Sequence, residues 1–142
     1  METTTELRSP DRTRGTGGGH VVPTLELAGI AGLAATIAIH VTELAGKVDE
    51  VTYLGFGYMA LSAAAVVAIV MLAVGDRRGW TLAAATTGAT LVGYVLTRTT
   101  GLPGSTDDIG NWGETLAIWA MAAEIAVCAL AAAAFRRDRR VS

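Results

Sequence analysis

Four apolar stretches, separated by short polar breaks, set the pattern of the chain: residues 22–44, 53–74, 80–97 and 112–135. Each run is continuous and Ala-rich and lacks the period-two alternation of a membrane strand, so helices are expected. At ~1.5 Å per residue each reaches across a hydrocarbon core of ~30 Å, the third only just. Pro23 suits a first helical turn. The breaks fall at 45–52, at Gly75-Asp76-Arg77-Arg78-Gly79 and at 98–111. Short connections of this kind favour antiparallel neighbours. The pattern therefore predicts an all-α membrane protein, an antiparallel four-transmembrane-helix bundle over residues 21–136. The polar, Thr- and Gly-rich stretch 1–20 cannot offset its own ordering entropy and reads as a disordered tail, and 137–142 reads as a short basic tail. The first apolar run begins after that tail and is too long for the h-region of a signal peptide, so a retained span is expected.

Composition agrees with this pattern. The 142 residues are 51% hydrophobic and 17% charged, with room for one domain. A soluble domain of this size needs more charge and a more even spread of apolar residues. The net charge of −2 matters less than where the charges sit. Of the eleven Lys and Arg residues, only Lys47 and Arg98 fall on one side of the expected bundle. Arg8, Arg12, Arg14, Arg77, Arg78, Arg136, Arg137, Arg139 and Arg140 fall on the other. That asymmetry predicts cytoplasmic termini in the plasma membrane, with 45–52 and 98–111 outside. The terminal arginines suit a stop-transfer anchor, with anionic lipid or a cytoplasmic partner as the alternative. Tyr53, Trp80 and Trp112 stand where an interfacial aromatic belt would place them. Ala85, Ala89 and Gly93, Gly29 with Gly32, and Ala60, Ala64 and Ala68 form small-residue stripes suited to close packing, within the chain or against another.

Chemistry-bearing residues are few. His40 and Glu43 share a helix face at i and i+3 near the expected outer boundary. That spacing serves a metal site, a hydrogen-bonded pair or an exposed helix end. Further ligands would have to come from Glu114, Asp107 or Asp108. Arg98 and Glu114 flank the outer loop, Glu114 in the expected first turn of the fourth span, and an ion pair between them would close it. The Gly-Leu-Pro-Gly at 101–104 supplies a turn, while Asp107 and Asp108 are expected to stay solvated. This loop reads as a cap on the bundle, with a small-ligand site as the other option. Glu124 lies near the middle of the fourth span, where a carboxylate is costly and turns inward. Ser62, Thr90 and Thr36 are its expected partners, and proton or ion handling, interhelical hydrogen bonding or subunit pairing are its expected roles. Glu26 is explained by a helix N-terminus. Cys128, Met59, Met71 and Met121 are expected to pack. The lone cysteine builds no disulfide, and two histidines, His20 among them, build no bis-histidine haem. No Gly-x-Ser-x-Gly, His-Glu-x-x-His, Walker loop or Cys-x-x-Cys is present, and no basic aromatic surface suits nucleic acid.

The segment GYVLTRTTGLPGSTDDIGNWGE, with the upstream YLGFGYM and the His40-x-x-Glu43 pair, resembles small four-span actinobacterial membrane proteins for which no activity is established. The resemblance covers about residues 25–135. It implies the four-helix topology and marks Arg98, Gly101, Leu102, Pro103, Gly104, Trp112 and Glu114 as the matching loop positions. The first functional expectation is a non-enzymatic accessory or assembly subunit, with the bilayer, other membrane subunits or its own copies as partners and no cofactor. The alternative is an ion-, proton- or metal-handling protein using His40, Glu43 and Glu114 at the outer mouth and Glu124 deeper.

Overall fold

A computed structural model describes residues 23–141, with side chains over 23–44 and 51–140. The N-terminal tail, with Arg8, Arg12, Arg14 and His20, lies outside the described residues, and so does the side chain of Lys47. Four helices follow in order: α1 Thr24–Glu50, α2 Thr52–Ala73, α3 Arg78–Thr99 and α4 Thr115–Val141. No strand occurs among the described residues. α1 packs on α2 and α4, and α3 packs on the same two helices. Three stretches are long and apolar enough to cross a membrane: Thr24–Leu44, Thr52–Ala73 and Thr115–Arg140. Large apolar side chains such as Phe56, Val70 and Trp119 face outward, whereas Thr87, Arg98 and Glu124 are buried. Such an inside-out distribution suits a lipid surround.

The expected loop at 45–52 is absent, because α1 continues to Glu50 and a single extended residue, Val51, joins it to α2. No proline interrupts this stretch, and Glu43 and Lys47 stand at the i,i+4 spacing that favours a helix. The opposite turn follows expectation. α2 ends in a Schellman arrangement, with the Gly75 N–H donating to the Leu72 carbonyl at 3.1 Å and the Asp76 N–H donating to Met71 at 2.8 Å. Gly75 takes the left-handed conformation that this ending needs, at φ +82°. The Asp76 carboxylate then accepts the Arg78 N–H at 2.9 Å and caps the start of α3. Arg77 pairs with Asp138, which brings the 74–77 turn beside the end of α4.

Unlike the other three helices, α3 has no stretch long and apolar enough to cross a membrane by length and composition, and threonines interrupt it. The hydroxyls of Thr86, Thr87, Thr97 and Thr99 donate to carbonyls of their own helix at 2.7 to 2.8 Å. The densest packing lies toward the 74–77 end, where Leu33, Leu72, Trp80, Ala83, Val127 and Ala131 form the core. Trp80 corrects the belt assignment. It is 3% exposed and lies on Gly29, where a Cβ would sit 2.5 Å from its ring. Tyr53 and Trp112 are about half exposed. The stripes also divide: Gly29 and Gly32 face inward onto Trp80 and Val127, but Ala60 and Ala85 face outward. A three-residue spacing defines a face without saying which way that face turns.

Candidate functional site

Beyond this core, toward the 100–114 loop, the helices enclose a partly open cavity of about 180 Å³. The loop above it is built from backbone turns. Leu102 and Ser105 exchange hydrogen bonds at 2.8 and 2.9 Å around Pro103-Gly104, with Gly104 at φ +76° as the third position of a type II turn requires. The Tyr53 hydroxyl donates to the Pro103 carbonyl at 2.8 Å and ties the turn to the start of α2. The Gly110 N–H returns to the Arg98 carbonyl at 2.9 Å.

Arg98 holds this loop by its side chain as well. Nη2 lies 2.5 Å from Glu114 Oε2 and Nη1 lies 2.6 Å from Asp108 Oδ1. The guanidinium carbon also stands 5.1 Å from the centre of the Tyr94 ring, and that ring meets Trp112 edge-on at 5.9 Å. The expected Arg98–Glu114 pair is therefore present, with two differences. Asp108 is half-buried and paired instead of solvated, whereas Asp107 is exposed. Trp112 and Glu114 precede α4, and the Glu114 carbonyl accepts the Ile118 N–H at 3.0 Å from just outside the first turn. Glycine is obligatory at 101, where φ is +71° and a Cβ would meet Thr106 and Ile109 at 3.1 Å.

Deeper in the cavity, His40 of α1 meets Glu124 of α4. Nε2 lies 3.3 Å from Oε1, with the imidazole 9% and the carboxylate 3% exposed. The contact is not a hydrogen bond, and Oε1 has no hydrogen-bond partner. Tyr58 of α2 packs edge-on against the imidazole at 5.0 Å. This pair corrects two expectations. Thr36 and Thr90 do not serve Glu124, because their hydroxyls donate to carbonyls of their own helices. Ser62 is half-buried and does not line the cavity. Nor does His40 sit at an outer mouth with Glu43 and Glu114 as a metal set. Glu43 and Glu114 line the same cavity, but Glu114 is held by Arg98, and no three His, Cys, Asp or Glu side chains among the described residues are grouped to hold a metal.

The reason for the pairing lies in helix length. Because α1 runs to Glu50, His40 sits ten residues, roughly 15 Å, below its end. Glu124 is ten residues beyond Glu114, the same depth on α4. Cys128 lies one turn further along, its Sγ 3.1 Å from the Thr87 hydroxyl, and acts as a packing residue. No protein-family model, curated protein or solved structure matches the chain.

Proposed function

We propose that this chain is a plasma-membrane protein that handles protons or small ions through the cavity between its helices, with His40 and Glu124 as the working pair. The observation that carries the reading is the burial of an acid and a base together at the cavity floor, with one carboxylate oxygen left without a hydrogen bond. Ionisable side chains in a membrane interior are expensive, and the cost is offset here only by this pair and by whatever enters the cavity. The two groups that could share a proton, Nε2 and Oε1, stand 3.3 Å apart. Glu43 on α1, Tyr58 on α2, Tyr94 and Arg98 on α3, and Asp108 and Glu114 in the loop are the other titratable groups facing the cavity. Past the pair lie Leu33, Leu72, Trp80 and Val127 of the core.

In this reading all four helices span the bilayer. The threonine hydroxyls of α3, satisfied within their own helix, lower the cost of placing it in lipid. The arginines beside the 74–77 turn and along the end of α4 lie on the cytoplasmic side, as the Arg77–Asp138 contact between those segments supports. An accessory role keeps one specific observation in its favour: Ala85 stands exposed on α3, the helix without a stretch apolar enough to cross a membrane by length and composition.

The test is proton flux into dye-loaded liposomes under an imposed potential. The expected result is flux above empty liposomes for the native chain and background flux for Glu124→Gln and His40→Gln. Equal flux from all three proteins, background level included, would refute the reading.

A further inference from the structure

We infer that the cavity binds a small organic cation, an alkylammonium, with its charged head at Glu124 and its hydrocarbon against the α2–α3 wall. This rests on the reading of the cavity as the working site and adds the class of ligand. Glu124 lines the cavity and is 2% exposed, and its buried Oε1, 3.3 Å from His40 Nε2, has no hydrogen-bond donor. A buried carboxylate in that condition favours a cationic donor.

The charges around the space select the sign. Of the carboxylates that line it, Asp108 and Glu114 are bridged by the Arg98 guanidinium, and Glu124 lies beside the His40 imidazole. The rest of the wall selects an organic ion. No three-ligand metal group is present among the described residues, and Leu54, Leu61, Ala89 and Ala117 give the cavity a mostly apolar lining.

Size follows from the volume. At about 30 Å³ per water, 180 Å³ holds roughly six waters or one molecule near the size of benzene. An alkylammonium of four to six carbons is of that order. Two glycines keep the space open. Gly57 on α2 and Gly93 on α3 both line it, and a Cβ added at either would meet nothing within 4 Å. Gly93→Leu therefore starts its side chain in open space at the cavity wall, and it raises helix propensity.

The experiment uses the full chain in lipid nanodiscs and n-butylammonium chloride as the probe, followed by calorimetry, with 1-pentanol as the neutral comparison. Saturable butylammonium binding is expected in the native chain, and at least about tenfold weaker binding in Glu124→Gln and in Gly93→Leu. Absence of saturable binding in the native chain, unchanged affinity in Glu124→Gln, or pentanol binding as tight as butylammonium would overturn the inference. Proton flux that depends on Glu124 without butylammonium binding removes the ligand assignment and leaves the proposed function standing. Binding that depends on Glu124 without flux does the reverse.

Discussion

Replacing Arg98 by methionine isolates what its charge contributes to the loop, because most of the hydrocarbon stem is kept. The guanidinium is 4% exposed and makes its two closest contacts at 2.5 and 2.6 Å. A shielded charge-assisted hydrogen bond is worth ~1.5–3 kcal/mol. The bond to Asp108, whose side chain is 24% exposed, belongs in the lower part of that range, about 2 kcal/mol. Glu114 is 42% exposed, and water screening limits its pair to at most ~1 kcal/mol. Arg98→Met should therefore loosen the loop by about 3 kcal/mol, which corresponds to amide exchange faster by roughly a hundredfold. The amides to follow are those of Leu102, Ser105, Ile109 and Asn111, which bond within the loop. Asp108→Asn should accelerate their exchange more than Glu114→Gln. Unchanged exchange in Arg98→Met, or the reverse order of the two carboxylate variants, would refute the claim that the buried guanidinium holds the loop through Asp108 first.

Two glycines give further expectations. Gly29→Ala should lower the melting temperature in detergent, with a cost of about 1–3 kcal/mol, because its Cβ would sit 2.5 Å from the ring of the buried Trp80. Gly88→Ala, where a Cβ meets nothing within 4 Å, should leave that temperature unchanged or raise it. Gly101→Ala should cost about 1–3 kcal/mol from the left-handed backbone alone, and the loss should appear as faster exchange in the 100–114 loop and not along the helices.

Much of this architecture was legible in the hydrophobic pattern. Apolar runs of membrane length require helices, since lipid offers the backbone no other partner. The Gly75 turn and the Pro103-Gly104 turn follow from residues whose backbone preferences are local. The Arg98–Glu114 pair was readable because both residues flank one loop. Asp108 was misread as solvated because its neighbours in sequence are polar, whereas its partner comes from the end of α3. Trp80 looked interfacial from its place at a span end, and the missing signal was Gly29 on a different helix. The outward turn of Ala85 could not be read from its spacing either, since helix rotation is set by neighbours.

The sequence by itself determined the apolar helices, their order and the presence of an acid where lipid makes acids costly. These depend on composition and on contacts within a few residues. Only the tertiary structure decided that Glu124 is met by His40 and not by a threonine. That contact depends on α1 continuing through 45–50, which lowers His40 from an expected helix end to the depth of Glu124. It depends equally on α1 and α4 packing side by side, a relation between segments 84 positions apart. No local pattern encodes such a meeting, because the depth of each residue is counted from a helix end and the pairing of the two helices is set by the whole bundle.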